Sequence, residues 1–146
     1  MKKRAEVLLV DDNPADLDLT RDLLASTGQQ RTINTVIDGE EAIDFLRRNG
    51  KYISARSPDL IILDLNLPRK NGWQVLEEVK SDPKLRATPV VIFSTSEANH
   101  DIGGCYRLGA NSYVRKPGNL QEFMSVIRSI GQFWFESATL PDKEAL

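Results

Sequence analysis

The sequence predicts an α/β fold in which a parallel sheet carries helices on both faces. Three short apolar runs, at 5–10, 60–63 and 90–93, have the continuous hydrophobicity of strands that are buried on both sides. Weaker strand candidates lie at 31–37 and 112–115, and an amphipathic stretch follows each of the five candidates. Five strand-then-helix units in succession imply right-handed crossovers, which distribute the helices over both faces of one sheet.

The length and composition fit one globular domain. The chain has 146 residues, of which 40% are hydrophobic and 27% are charged, and these values exclude disorder and coiled coil. The net charge of −2 gives no electrostatic basis for nucleic-acid binding, and no apolar run is long enough for a membrane span. A lone cysteine, Cys105, favours a reducing, cytoplasmic location, and a lone histidine, His100, argues against a histidine-based zinc site. We expect one domain at 1–136 and a tail at 137–146, with no output domain.

Capping residues mark the starts of the predicted helices. Asn13 precedes a proline at the start of the first helix, and Gly28 is expected to end that helix. Asp38 and Asn71 have the corresponding position before the second and third helices. The fourth helix is expected at 97–108.

The last helix follows Asn119, and the sequence leaves two interpretations of its end. If the helix continues past Gly131, Phe133 points away from the core, and an exposed aromatic residue there suggests a protein contact such as a symmetric dimer. If Gly131 ends the helix, the aromatic residues 133–135 fold back into the core. The core-facing side is expected to consist of Leu120, Phe123, Met124, Ile127, Ile130 and Trp134.

Residues that can carry chemistry end the predicted strands. The first strand ends in Asp11 and Asp12, the third in Asp64 and the fourth in Ser94, and the fifth leads to Lys116. Ligands of open α/β sheets bind at the carboxyl ends of the strands, so these side chains are expected to converge. Each alone has an ordinary explanation as a helix cap, a solvated carboxylate or a surface lysine. Their shared edge favours a common site.

Three carboxylates in one place require a cation. Two unit charges about 4 Å apart repel by about 4 kcal/mol in a surface-like dielectric. Carboxylate and carbonyl oxygens are the ligands that Mg²⁺ prefers, which predicts Mg²⁺, or Mn²⁺ in its place, beside Asp64. A carboxylate that faces Mg²⁺ and an ammonium group is suited to attack a phosphoryl group and to hold it as an acyl phosphate. Ser94 is then in place to donate a hydrogen bond to the transferred group.

Four motifs resemble those of the response-regulator receiver domain, the phosphoacceptor half of two-component signalling. They are VLLVDDNP, LIILDLNLP, VVIFSTS and YVRKP, and the resemblance extends from about Glu6 to Trp134. It implies the strand order 2-1-3-4-5 of flavodoxin-like folds and Mg²⁺-dependent phosphoryl transfer from a sensor histidine kinase. The stretch before Asp64 is longer than in minimal members of the family, in a polar loop expected at 49–58.

The resemblance also implies the role of each site residue. Asp64 is the phosphoacceptor, and Lys116 pairs with it, followed by a peptide bond to Pro117 that is expected to be cis. Ser94 and Tyr113 are the switch residues. The implied metal ligands are Asp11 (mainly through a water), Asp12, Asp64 and the backbone carbonyl of Asn66.

The resemblance further implies output through a face formed by the fourth helix, the fifth strand and the fifth helix. Phosphorylation of Asp64 biases that face between two arrangements, and a homodimer is expected to form through it. The segments GQFWFESATLP, NLPRKNGWQVL and SEANHDI are similar to stand-alone regulators paired with phytochrome-type histidine kinases. Such a kinase is therefore the expected partner, and no multiple-turnover enzyme activity is expected.

Two other classes of function stay open. A haloacid-dehalogenase-type phosphatase also uses Asp, Lys, Ser and Mg²⁺, but its nucleophile lies in a D-x-D pair on the first strand, where this sequence has Asp11 next to Asp12. A degenerate receiver that serves only in docking would not need the acidic pair, Asp64 and Lys116 together. A DNA-binding regulator would need more residues after Lys116 than the sequence has.

Overall fold

The structure, a computed structural model, describes residues 4–26 and 31–143 and contains the predicted parallel sheet. The strands and α-helices follow in the order β1 Ala5–Val10, α1 Pro14–Ala25, β2 Arg31–Val36, α2 Gly39–Arg47, β3 Leu60–Leu63, α3 Gly72–Ser81, β4 Val90–Ser94, α4 Asn99–Arg107, β5 Ser112–Arg115 and α5 Leu120–Gln132. All five strands are parallel and lie in the order β2-β1-β3-β4-β5. The predicted fold class and strand order are confirmed.

Alternate residues of the central strands face two separate cores. Leu8 and Val10 of β1 pack with α2, α3 and α4, whereas Val7 and Leu9 pack with α1 and α5. None of these four side chains is more than 2% exposed. Burial on both faces explains why the strands have continuous apolar runs instead of alternating patterns.

Side-chain caps begin four of the helices at the predicted residues. Asn13, Asp38, Asn71 and Asn119 each accept a hydrogen bond from the backbone N–H three residues further on. The predicted end of the first helix, at Gly28, lies outside the described residues.

The fourth helix is shorter than predicted, since α4 begins at Asn99 and not at residue 97. Ser96 Oγ accepts a hydrogen bond from Ala98 N at 3.2 Å and donates one to Asp101 Oδ2 at 2.6 Å. These contacts keep the segment before Asn99 outside the helix. The predicted polar loop at 49–58 contains a short 3₁₀ turn, and otherwise has no helix or strand.

The last helix continues past Gly131, so the interpretation in which the glycine ends it is wrong. A Cβ on Gly131 would lie 3.2 Å from Leu24 Cδ2, and the glycine therefore lets α5 approach α1 closely. A π-helical turn follows α5 and leaves Phe133 54% exposed, while Trp134 and Phe135 pack partly against the core. The aromatic segment thus divides between the surface and the core.

Two smaller expectations at the carboxyl edge are wrong. Leu120 is 63% exposed because it is the first residue of α5, and the buried side of that helix begins one turn later at Phe123. The peptide bond between Lys116 and Pro117 is trans, as are the other described peptide bonds. Among the described helices, none combines the length and the hydrophobicity that crossing a bilayer requires.

Candidate functional site

The main chain fixes the carboxyl edge of the sheet at the positions where the site residues begin. Asp64 N donates to Val10 O at 2.9 Å, and Lys116 N donates to Ser94 O at 2.7 Å. The parallel ladder therefore continues one residue beyond β3 and β5. This continuation brings the side chains that follow β1, β3 and β5 together at one edge, as the sequence predicts.

The three predicted acidic ligands meet in one cluster. Asp11, Asp12 and Asp64 each offer a carboxylate oxygen, and these oxygens lie within 4.8 Å of one another. Asp11 and Asp64 are each 8% exposed, whereas Asp12 is exposed. Hard oxygen donors with one side open to solvent fit Mg²⁺, which keeps several of its waters. Asn66, whose carbonyl is the other predicted ligand, lies exposed two residues after Asp64.

Local contacts fix the orientation of the Asp64 carboxylate. Its Oδ1 accepts a hydrogen bond from Leu65 N at 2.7 Å, and its Oδ2 lies 2.9 Å from Lys116 Nζ. Gly72, the first residue of α3, packs directly on this segment, because a Cβ there would lie 2.2 Å from Asp64 O. The start of α3 therefore supports the backbone that carries the carboxylate.

Lys116 lies at the centre of the site and contacts three carboxylates. Its Nζ is 2.7 Å from Asp11 Oδ2, 2.9 Å from Asp64 Oδ2 and 3.0 Å from Asp16 Oδ2. The side chain is only 3% exposed. Burial lowers the pKa of Lys116, but the hydrogen bond to Asp11 and the charge of Asp64 outweigh it and raise the pKa above its ordinary value. Lys116 is therefore a cation throughout the physiological pH range.

Burial and hydrogen bonding have opposite effects on the pKa of Asp11. Burial raises the pKa of Asp11, and hydrogen bonds from Lys116 and from Asn13 N lower it, with burial the largest of these effects. Asn13 N donates to Asp11 Oδ1 at 2.9 Å, so this carboxylate also holds the residue that caps α1. Asp11 thus joins the site to the start of the first helix.

Asp16 is a site residue that was not predicted from the sequence. It lies in the first turn of α1, where acidic residues are common because they stabilise helix starts, and its contact with Lys116 joins residues 100 positions apart. A signal was present, since Asp16 follows Asp12 by four residues. That spacing alone does not distinguish a site residue from a helix stabiliser.

The two predicted switch residues meet at the loop between β4 and α4. Ser94 is fully buried, and its Oγ lies 3.4 Å from Ser96 N. Tyr113 OH donates to Ser96 O at 2.9 Å. Burial raises the pKa of Tyr113, which keeps its hydroxyl a proton donor. Movement of the backbone at Ser96 would therefore change the contacts of both Ser94 and Tyr113.

The same loop connects to α4 and β5. Besides the bond from Ser96 to Asp101, the hydroxyl of Tyr106 in α4 accepts a hydrogen bond from Tyr113 N at 3.0 Å. Tyr106 could not be identified from the sequence, because a lone aromatic residue on a short helix carries no distinctive signal. The site is therefore linked to the predicted output face by direct hydrogen bonds.

Comparisons with known proteins agree with this geometry. The family model described as the response regulator receiver domain matches residues 7–128. The response regulator Rcp1 of Synechocystis sp. is 38% identical over 135 residues, which is 92% of this chain and 92% of that protein.

Two solved structures are similar along nearly their whole length. One is the phosphorylated cyanobacterial phytochrome response regulator RcpA, with a TM-score of 0.93, 44% identity and coverage of 96% of this chain and 100% of that chain. The other is the Mn²⁺-bound form of Rcp1, with a TM-score of 0.92, 38% identity and coverage of 94% and 99%. The chain belongs to the response regulator receiver domain family, and it is related to phytochrome response regulators.

Proposed function

We propose that this protein receives a phosphoryl group from a sensor histidine kinase on Asp64, in a reaction that requires Mg²⁺ or Mn²⁺. The observation that carries the proposal is the position of Asp64, whose Oδ2 lies 2.9 Å from Lys116 Nζ beside the carboxylates of Asp11 and Asp12. The unit that performs this function is residues 1–136, with 137–146 as its tail.

Each residue has a distinct part in the transfer. An oxygen of the Asp64 carboxylate attacks phosphorus, the bond from phosphorus to the donor imidazole breaks, and the imidazole keeps that electron pair. Lys116 holds the attacking carboxylate and then one oxygen of the transferred group, and Ser94 donates a hydrogen bond to another. The divalent ion supplies positive charge for the oxygens of the transferred group. Its ligands would be Asp11, partly through a water, Asp12, Asp64 and the carbonyl of Asn66.

The output follows from the contacts of the switch residues. When Ser94 turns to the phosphoryl group, its contact with Ser96 N changes. Ser96 also accepts a hydrogen bond from Tyr113 OH and donates one to Asp101. A shift of this loop would alter the face made by α4, β5 and α5. Moving two such states from 1:99 to 99:1 takes about 5.5 kcal/mol, of which the new contacts of Ser94 and Lys116 would supply part.

The proposed partners are a phytochrome-type histidine kinase and a second copy of the chain, both in the cytoplasm. The first is supported by the similarity to RcpA, which is described as a phytochrome response regulator. The second is supported by Phe133, which is 54% exposed at the end of α5. We expect the homodimer to form through the face of α4, β5 and α5.

Mass spectrometry after incubation with acetyl phosphate and Mg²⁺ tests the proposal. We expect one adduct of about 80 Da that is absent in Asp64→Asn and retained in Asp22→Asn, an exposed carboxylate of α1. Light scattering on the same samples should show a dimer after phosphorylation, and a monomer in both states would contradict the dimer. An adduct that survives Asp64→Asn would overturn the assignment of the acceptor. Sustained turnover of phosphomonoesters would favour a phosphatase instead, and absence of any adduct would favour a docking module.

A further inference from the structure

Asp16 contacts the central lysine of the site but lies outside the acidic cluster. Its Oδ2 is 3.0 Å from Lys116 Nζ, and its side chain is 27% exposed. The group of carboxylates close enough to share one metal ion consists of Asp11, Asp12 and Asp64, without Asp16. Asp16 is therefore a partner for the lysine that is not placed as a partner for the metal.

Helix capping does not account for the orientation of this carboxylate. Asp16 is the third residue of α1, the position at which a side chain can accept a hydrogen bond from the N–H of the N-cap residue. In α1 that N–H, on Asn13, is taken by Asp11 Oδ1 at 2.9 Å. The Asp16 carboxylate contacts Lys116 instead, and it does so across 100 positions of sequence.

The ammonium group of Lys116 has three N–H donors, and the site offers it three carboxylates. Two of these, Asp11 and Asp64, belong to the acidic cluster that a divalent ion would occupy. A cation that binds there competes with the lysine for the same oxygens. Within the part of the chain that the structure describes, Asp16 is the remaining carboxylate within hydrogen-bond distance of the lysine.

We infer that Asp16 is a positioning residue for Lys116, and that it keeps the ammonium group at the site when a divalent ion takes the carboxylates of Asp11 and Asp64. The inference rests on the proposed function for the metal and the phosphoryl group. Among the described residues, the carboxylates left to Lys116 without Asp16 are those of Asp11 and Asp64, which would also bind the metal. The lysine then competes with the ion more strongly. Loss of Asp16 should therefore weaken metal binding through the lysine.

Isothermal titration calorimetry with Mg²⁺ alone tests this coupling through a double-mutant cycle of Asp16→Asn and Lys116→Met. We expect Asp16→Asn to weaken Mg²⁺ binding about fivefold when Lys116 is present, and less than about twofold in the Lys116→Met background. Asp18→Asn is the matched control, because Asp18 lies on the same helix, is 62% exposed and pairs with Arg21. The control should leave binding unchanged in both backgrounds.

A loss of equal size in both backgrounds would overturn the inference, because it would mean that Asp16 acts only by its charge. No loss with Lys116 present would also overturn it. The titration involves no phosphoryl transfer, so this failure is distinct from failure of the proposed phosphorylation of Asp64.

The exchange of the Lys116 ammonium protons with solvent, measured by NMR, gives a second readout that does not depend on the Lys116→Met variant. In the Mg²⁺-loaded protein, we expect slow exchange for the wild type and rapid exchange for Asp16→Asn. Asp16→Glu, which restores a carboxylate, should recover part of the protection. Equal exchange in the wild type and Asp16→Asn would contradict the inference.

Discussion

The two helices that start beside the acidic cluster, α1 and α3, begin with the same cap and use it differently. Asn13 accepts a hydrogen bond from Asp16 N at 3.1 Å, and Asn71 accepts one from Gln74 N at 3.0 Å. In α3 the Gln74 side chain accepts a hydrogen bond from Asn71 N at 2.9 Å, which completes a reciprocal capping box. The start of α3 is therefore satisfied by local, uncharged groups.

In α1 the corresponding groups are shared with the site. Asp11 accepts from the N–H of the cap residue Asn13, and the Asp16 carboxylate contacts Lys116. The helix start is complete only when the charged residues of the site are in place. The start of α3 therefore supports the site without contributing a charge to it, whereas the start of α1 is joined to the charged groups of the site.

The largest effect is expected from Gly72→Ala at the start of α3. The new methyl group would lie 2.2 Å from Asp64 O and 2.6 Å from Leu65 Cα, and neither backbone atom can move without displacing the carboxylate of Asp64. We expect the free energy of unfolding to fall by about 3 kcal/mol, measured by urea denaturation, together with weaker Mg²⁺ binding. Pro14→Ala, at the exposed first position of α1, is the matched control. A similar loss for both variants would remove the distinction between the two helix starts.

A smaller, pH-dependent effect is expected from Asp11→Asn in the metal-free protein. Burial raises the pKa of Asp11, so its charged form destabilises the fold above that pKa, and acidification relieves this destabilisation. At neutral pH the variant should be more stable than the wild type, because one buried carboxylate loses its charge while Lys116 keeps the carboxylates of Asp64 and Asp16 as partners. The difference should shrink as the pH falls through the raised pKa of Asp11, measured by urea denaturation at several pH values. A difference in stability that does not change with pH would contradict the raised pKa of Asp11.

The smallest effect is expected from Gln74→Ala. Loss of the reciprocal bond to Asn71 N should lower the free energy of unfolding by about 0.5–1 kcal/mol. Because both members of this capping box are uncharged amides, the loss should not change with pH, and Mg²⁺ binding should not change either. A loss that varies with pH would indicate that the start of α3 is also coupled to charged groups.

Most of the fold could be predicted because buried parallel strands leave a simple signal. The apolar runs that form β1, β3 and β4 are continuous, and each leads to a side chain that can take part in chemistry. Asp11 follows β1, Asp64 follows β3, and Ser94 is the last residue of β4. Topology then brings the strand ends together, so the cluster of Asp11, Asp12 and Asp64 followed from the strand assignment. The catalytic, metal-binding and switch roles stay predictions until the phosphorylation experiment is done.

The remaining features depend on contacts that have more than one local explanation. Gly131 carries the signal of a helix end, but it serves the close approach of α5 to Leu24. Asp16 has the position of an ordinary helix stabiliser, and only the folded chain brings it to Lys116. Leu120 continues the apolar stripe of α5 but precedes the turn at which the helix meets the core. In each case the residue type limits the possible roles, but the sequence does not show which residue it contacts in the folded chain.

The hydrogen bond from Tyr113 N to Tyr106 has a consequence for how two copies can associate. β5 is an edge strand, and an edge strand with unpaired amides can recruit a strand from another molecule. Tyr106 gives the amide of Tyr113 a partner within the same chain. A sheet that runs without a break from one molecule into the next across β5 would therefore require Tyr106 to move away from this amide first.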